Sequence, residues 1–277
     1  MRGLGYRFIL LSVVCSLVFL LSAVAVSAAP VDFVTKWNTS ITGPGSSASD
    51  QIKLPLVSTG TYNFNVDWGD GTSDTITSWN QAEIIHTYAT PGVYTVTISG
   101  TIVGWRFYIS DSNQGDADKL LDITQWGNFK LGNDGQYFRG TSNLNITATD
   151  VPDLTGTTDM SYTFLSSGIS SVPNMGSWDT SSVTNMSGMF MNAVSFNGNV
   201  SNFDVSSVAD MSRMFKGARS FNIGLYNWVT INVKDMSSMF EDAESFIGDG
   251  LKFWDVSNVT DMSRMFKGAR SFNIGLY

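Results

Sequence analysis

The sequence predicts a mixed fold, with an N-terminal all-β sandwich followed by an α/β solenoid. The first part alternates apolar and polar residues between glycine and proline punctuation, which is typical of short antiparallel strands. The second part repeats one Met- and Phe-rich phrase with a period of 25 or 26 residues. A fixed period in this range indicates a stack of repeats. The phenylalanines that close the phrase are Phe164, Phe190, Phe215, Phe240 and Phe266.

The first segment, residues 1–28, is predicted to be a cleaved secretion signal. Arg2 and Arg7 precede an apolar run over residues 8–26, and Ser27 and Ala28 supply the small residues of a cleavage site. The apolar run approaches the length of a membrane anchor, but the positive flank and the small-residue exit favour a signal. We therefore expect a secreted or cell-surface protein with no membrane span after signal cleavage.

Composition narrows the possible chemistry and partners. Cys15 is the single cysteine and lies within the predicted signal, so the mature chain has neither disulfides nor a thiol nucleophile. The formal net charge is −8. Nucleic acid is excluded as a partner because its recognition requires a basic surface.

Residues 29–103 are predicted to form the β-sandwich. Residues 62–66 alternate and lead into an Asp-Gly turn, while residues 93–98 are rich in β-branched and aromatic side chains. Residues 66–72 read Val-Asp-Trp-Gly-Asp-Gly-Thr, and residues 86–88 and 91–96 follow in the same order as in PKD domains. The region resembles this immunoglobulin-like family, and the resemblance implies a spacer or interaction module.

Residues 104–153 are predicted to be the N-terminal cap of the solenoid, and residues 154–277 its repeats. Met211, Met214, Phe215 and Ala218 lie at i, i+3, i+4 and i+7, which predicts one face of a short helix with Asp210 as its cap. A short strand precedes that helix in each repeat. One strand and one helix per repeat describe a leucine-rich-repeat-like coil.

Charged side chains at aligned repeat positions alternate in sign. This alternation predicts ion pairs between successive coils. The two rows are Lys216, Glu241 and Lys267, and Arg219, Glu244 and Arg270.

The repeats resemble the BspA-like family of bacterial surface proteins. Residues 254–266 match that family's repeat, and residues 123–127 and 146–152 resemble its cap. The resemblance implies a cell-surface adhesin or binding protein.

Residues 210–226 and 261–277 are identical, and the chain stops within a repeat. We therefore expect either a sequence truncated at its C-terminus or an assembly error caused by the repeats.

The candidate ligand-binding residues are Asp179, Asp204 and Asp255, which recur on the predicted strand side of the coils. Val229 interrupts their row. Solenoids present extended surfaces for binding, so we expect adhesion to a protein or glycan of a host or neighbouring cell. The alternatives are a structural spacer that presents another module and an accessory polysaccharide-binding protein.

The sequence predicts no enzyme, no cofactor and no metal site. Asp67, Asp70 and Asp74 cluster without the loop spacing of a calcium site and are interpreted as turn residues. His86, the single histidine, is interpreted as structural, because no Gly-x-Ser-x-Gly nucleophile motif accompanies it. No catalytic residue is assigned.

Overall fold

The structure is a computed structural model that describes residues 31–107 and 115–275. The predicted signal, residues 1–28, lies outside this range. The described residues contain eight β-strands and four 3₁₀ turns, and they contain no α-helix. The strands are β1 (Phe33–Asn38), β2 (Gln51–Lys53), β3 (Thr61–Asp67), β4 (Ser73–Ile76), β5 (Ile85–Thr87), β6 (Val93–Val103), β7 (Leu120–Gln125) and β8 (Asn145–Ile146). The 3₁₀ turns are Ala82–Ile84, Ala117–Lys119, Met175–Ser177 and Leu251–Phe253.

The N-terminal strands form a six-stranded sheet in the order β4-β3-β6-β1-β7-β8 and a two-stranded sheet of β2 and β5. All pairs are antiparallel except β7 with β8. The alternating run at residues 62–66 lies in β3, where Tyr62, Phe64 and Val66 are buried. The strands predicted there and at residues 93–98 are thus present, and the sheet continues through β7 and β8 into the predicted cap.

A buried ion pair fastens the loop between β1 and β2 to residues 116–119. The side chain of Lys119 is fully buried and donates to the carbonyl oxygens of Ser47 (3.1 Å), Ala48 (2.7 Å) and Gln51 (2.8 Å). Its Nζ lies 3.8 Å from Oδ1 of Asp116, which in turn accepts from the Ser47 N–H. Burial lowers the pKa of Lys119, and the charge of Asp116 opposes that shift.

The prediction of an α/β solenoid is wrong. The segment that includes Met211, Met214, Phe215 and Ala218 forms consecutive turns instead of a helix. Arg213 and Gly217 adopt φ of +57° and +69°, the left-handed region, which an α-helix does not contain. All four apolar residues are nevertheless fully buried. Turns that repeat about every four residues direct the same side chains inward as a helix would, so the pattern identified the buried residues but not the backbone.

Hydrogen bonds to the next coil replace the helical ones. Alternate N–H groups along residues 211–217 donate to the following coil, and intervening groups close turns within their own coil, as Met214 does to the carbonyl of Met211 (3.2 Å). The segments at residues 160–166, 186–192 and 236–242 pair in the same way. In the second full copy the inter-coil bonds run from Met211 to Asp235 (3.0 Å), Arg213 to Ser237 (2.9 Å), Phe215 to Met239 (2.9 Å) and Gly217 to Glu241 (2.8 Å).

The residues expected as helix caps open these turns. Oδ1 of Asp210 accepts the N–H of Ser212, two residues later, at 2.8 Å. Asn185 does the same for Ser187 at 3.0 Å. Their side chains therefore satisfy free backbone groups as predicted, but the element they begin is a turn. Isolated parallel bridges link this position through all coils, from Asp159 to Asn185, Asp210, Asp235 and Asp261.

Aromatic ladders form the core of the stack. Each phenylalanine of the main ladder lies parallel to its counterpart in the next coil, with centroids 5.6–5.8 Å apart. A second ladder lies beside it, and Phe215 stacks on Phe221 within one coil at 3.8 Å. Offset stacking at these distances adds to the free energy gained by burial. The prediction that the Phe and Met columns are core is confirmed.

The first predicted charge row is complete in the structure, and the second is present at one of its two pairs, Arg219 with Glu244. Glu241 accepts from Lys216 at 2.7 Å and from Lys267 at 2.9 Å, and Arg219 Nε lies 3.6 Å from Oε1 of Glu244. The side chain of Glu241 is only 3% exposed. Hydrogen bonds from Lys216 and Lys267 lower its pKa to about 2, against the effect of burial. One of the two rows thus joins three coils through the buried carboxylate of Glu241.

Candidate functional site

The three predicted ligand-binding aspartates are exposed, and each belongs to a tight local turn. Oδ1 of Asp179 accepts the N–H of Ser181 (3.2 Å) and also its hydroxyl (2.6 Å). Asp204 and Asp255 accept the N–H of the serine two residues later, each at 2.9 Å. One carboxylate oxygen of each aspartate is thus used to shape the turn. Within residues 31–107 and 115–275, the second oxygen of each aspartate accepts no hydrogen bond and is available for a ligand.

The structure brings two of the three aspartates together on adjacent coils. Thr180, next to Asp179, is buried and donates its hydroxyl to the backbone carbonyl of Asp204 at 3.0 Å. Val229 occupies the next place in the row and is 54% exposed. The site is therefore a pair, with Asp255 beyond an apolar break.

The electrostatics of the row favour cationic or hydroxyl-bearing ligands. Hydrogen bonds from Ser181 lower the pKa of Asp179, and those from Ser206 lower the pKa of Asp204 although the neighbouring charge opposes the shift. Hydrogen bonds from Ser257 lower the pKa of Asp255. All three carboxylates are therefore ionised at neutral pH. Neighbouring coils in a stacked sheet lie about 5 Å apart, so the first two charges present one small anionic patch.

Two of the three aspartates near the first hairpin shape its turn, as interpreted from the sequence, whereas Asp74 lies within β4. Asp67 accepts the N–H of Gly69 (2.8 Å), and Asp74 accepts from the indole of Trp68 (2.9 Å). Burial opposes the shift, but hydrogen bonds from Thr72 and His86 lower the pKa of Asp70 to about 2.

The single histidine is enclosed by aromatic rings. The ring of His86 stacks on Trp68 at 4.7 Å and meets the edge of Tyr88 at 4.5 Å, while its Nε2 lies 2.9 Å from Asp70. No group of three metal-ligating side chains occurs within residues 31–107 and 115–275. These contacts fit the structural interpretation of His86.

The structure also contains a cavity of about 460 Å³ that the sequence did not indicate. Its lining includes the apolar side chains of Leu54, Leu56 and Ile84 together with Trp79 and Arg106. Trp79 is 44% exposed although it is a large aromatic residue. The only sequence feature that pointed to this cavity was a tryptophan in the loop after β4. It does not show that Arg106, from a distant segment, lies beside it.

Residues 158–276 match the model of a family described as Mycoplasma protein of unknown function, DUF285. The match covers the repeats and is compatible with their BspA-like resemblance. No curated protein and no solved structure matches the chain. The repeat region is therefore similar to a bacterial family whose description assigns no activity.

Within the part of the chain that the structure describes, no helix has the length and apolarity needed to cross a bilayer.

Proposed function

We propose that this is a non-catalytic, BspA-like binding protein, exported to the medium or held at the cell surface. It binds a protein or glycan through the surface of the coils that carries Asp179 and Asp204. The observation that supports it best is the exposed pair of Asp179 and Asp204 on adjacent coils, each with one carboxylate oxygen available. A rigid stack fixes the spacing of the two charges before a ligand arrives. Preorganisation of this kind reduces the entropic cost of binding.

The first region has a supporting role in this proposal. Its motif around residues 66–72, and the ring contacts of His86 with Trp68 and Tyr88, suit a rigid PKD-like module. Such a module would hold the stack away from its attachment point. In this proposal the coils bind the ligand, and the first region acts as the spacer.

The decisive experiment measures binding of the purified protein to a panel of matrix proteins and to a glycan array. The variant D179N/D204N removes both charges but keeps an oxygen for each turn, because Asn199 already makes this contact with Ser201. We expect binding to weaken about tenfold, or ~1.4 kcal/mol.

The matched control is D210N, a charge-to-amide change in another row of the stack, where Asn185 occurs naturally. Binding to no member of either panel would contradict the proposal. An equal loss in D210N would show that the effect is nonspecific and would remove the site from Asp179 and Asp204.

The cavity beneath Trp79 favours a second candidate, an accessory polysaccharide-binding protein. An exposed tryptophan offers a flat apolar face beside a polar rim, and Arg106 supplies hydrogen-bond donors. Pulldown on insoluble polysaccharides tests this candidate, with W79A expected to abolish retention. Retention that persists in W79A but is lost in D179N/D204N would place glycan binding on the coils instead.

A further inference from the structure

Successive coils share one core and differ outside it at a few positions. Residues 210–221 and 235–246 are identical except at four places, and their Met, Phe and Ala columns are buried in both. At these four places the first coil has a basic set and the second an acidic set. The basic set is Arg213, Lys216, Gly217 and Arg219, and the acidic set is Ser238, Glu241, Asp242 and Glu244. The core therefore does not distinguish one coil from the next, whereas the two sets do.

The two sets alternate along the stack. Residues 261–272 repeat residues 210–221 at every position, so the basic set returns after two coils. The contacts between coils thus have a period of two coils, although the core columns have a period of one.

Charge makes the two sets complementary. Glu241 lies between Lys216 (2.7 Å) and Lys267 (2.9 Å), and Oε1 of Glu244 lies 3.6 Å from Nε of Arg219. Two neighbouring coils with the same set would instead place lysine against lysine or glutamate against glutamate. Like charges in directly opposed positions are destabilising, and a carboxylate as buried as that of Glu241 needs a cation beside it.

Side-chain size gives a second, independent complementarity. A Cβ atom added at Gly217 would overlap Oδ1 of Asn192 in the preceding coil, and one added at Gly268 would overlap Oδ1 of Asp242. All four residues have positive φ, so the backbone admits asparagine or aspartate at each place. The neighbouring side chain, rather than the backbone, therefore requires glycine after each asparagine or aspartate of this row.

Another row shows the alternation of size earlier in the stack, in coils that carry neither charged set. The ring of Tyr162 occupies the space that a Cβ atom at Gly188 would need. Arg213 and Ser238 continue this row as a large and then a small side chain. Complementarity between unlike neighbours thus extends beyond the charged coils.

Identical core columns make such complementarity necessary. A coil could pair with the coil after next and exclude the one between, because the Met and Phe columns would match equally well. The excluded residues would form a loop, and the entropic cost of closing a loop rises only slowly with its length. Misassembly is a characteristic failure of repeat proteins.

We propose that these rows form a register lock, which admits an unlike coil as neighbour and rejects a like one. Pairing with the coil after next brings two basic sets or two acidic sets together. The order of the coils is then fixed by the side chains between them and not by the core. This inference concerns the assembly of the stack and is independent of ligand binding at Asp179 and Asp204.

The test exchanges the two sets between their coils in the full chain. The exchange leaves composition, net charge and core columns unchanged, and the exchanged positions with positive φ have it in both coils. It places an aspartate against Asn192 and the basic set against Lys267 and Arg270. We expect the midpoint of thermal unfolding to fall by about 5 °C or more, and the fall to be smaller in high salt. The substitutions are R213S, K216E, G217D, R219E, S238R, E241K, D242G and E244R.

A rescue variant restores the alternation within the exchanged protein. It adds N192G and gives residues 264–270 the acidic set, through R264S, K267E, G268D and R270E. We expect it to recover about half or more of the lost midpoint, although it carries more substitutions.

The control A209K/K234A exchanges another aligned pair of the same two coils, outside the four positions. Its midpoint should change by less than about 2 °C. A fall in the exchange variant no larger than in the control would overturn the proposal. A rescue variant no more stable than the exchange variant would also overturn it, because added substitutions recover stability only if the identity of the neighbouring coil matters.

Discussion

The sheet region and the repeat stack satisfy their backbone hydrogen bonds in different ways. In the sheet region, β3, β6 and β1 pair as extended antiparallel strands, and each strand both donates to and accepts from its neighbours. In the stack, alternate N–H groups of residues 211–217 donate to the next coil, while flanking residues such as Ala209 and Ser220 donate to the preceding one. The sheet pairs strands that are far apart in the sequence, whereas each coil of the stack pairs with the coils before and after it.

The two regions also differ in how they bury charge. The sheet region encloses Lys119 with Asp116 against three backbone carbonyls, at one place and without repetition. The stack holds Glu241 between Lys216 and Lys267 by repeating one position over three coils. Loss of a partner should therefore act locally in the first case and along the stack in the second.

The largest expected effect follows from removal of one ring of the Phe ladder. F215A deletes a buried ring that contacts Phe190, Phe221 and Phe240, and we expect the free energy of unfolding to fall by about 4 kcal/mol. Urea denaturation measures the loss, and hydrogen exchange locates it. Protection should fall in the adjacent coils and persist in β3 and β6, because coils contact only their neighbours.

F253A is the control for this prediction, since Phe253 is largely exposed. It should change the free energy of unfolding by less than about 0.5 kcal/mol. A fall in F215A no larger than in F253A would contradict the assignment of the ladder as core.

The next effect concerns the buried pair of the sheet region. K119M leaves Asp116 without its cation and three carbonyls without a donor, so we expect a loss of about 3 kcal/mol. Hydrogen exchange should rise at residues 43–53 while the coils stay protected. The control K53M alters an exposed lysine whose N–H, rather than its side chain, contacts Asp116. Equal losses of stability in K119M and K53M would show that Lys119 does not hold the loop between β1 and β2 in place.

A smaller and pH-dependent effect is expected at Glu241. Its pKa in the folded protein, about 2, lies below the ordinary value of 4.5, so its stabilisation is complete above pH 4.5 and disappears as the pH falls towards 2. E241Q should therefore lower stability on the order of 2 kcal/mol at pH 7 and converge with the unmodified protein near pH 2. Thermal unfolding across pH measures both.

E244Q provides the comparison for Glu241. Its pair with Arg219 is looser and more exposed, so its loss should stay below about 0.5 kcal/mol at any pH. A pH-independent difference between E241Q and the unmodified protein would show that the charge of Glu241 does not stabilise the stack.

The smallest expected effect is a change in stability whose sign distinguishes turns from a helix. R213G replaces a residue with φ of +57° by the residue found at the aligned Gly188, so the turn structure predicts stabilisation by about 0.5–1 kcal/mol. A helix would instead be destabilised by about 1 kcal/mol. The change in urea midpoint therefore distinguishes turn from helix directly. Destabilisation would restore the helical interpretation.

The sequence contained a signal for the turn conformation of the repeats that hydrophobic spacing alone does not include. The position two residues after Phe190, Phe215, Phe240 and Phe266 holds Asn192, Gly217, Asp242 and Gly268, and all four have positive φ. Glycine, asparagine and aspartate are the residues that tolerate this conformation. A glycine at this position argues against an amphipathic helix. Hydrophobic spacing alone does not show this, because a helix and the observed turns direct the same residues inward.

The pairing of the candidate aspartates could be predicted only in part. The period placed Asp179, Asp204 and Asp255 in one row, and it also placed Val229 as a break. Their exposure and the sharing of Oδ1 with a serine depend on local turn geometry. The cavity at Trp79 was beyond prediction, because it brings together segments that are far apart in sequence.

The sequence by itself determined the period, the buried columns and the alternation of charge, because each is a property of residue spacing along the chain. Only the tertiary structure decided the conformation of the repeat, the burial of Glu241 and the pairing of alternate N–H groups with the next coil. A single repeat has no hydrogen-bond partner for its alternate N–H groups. Whether those groups close a helix or reach a neighbour is decided when the next coil supplies its carbonyls.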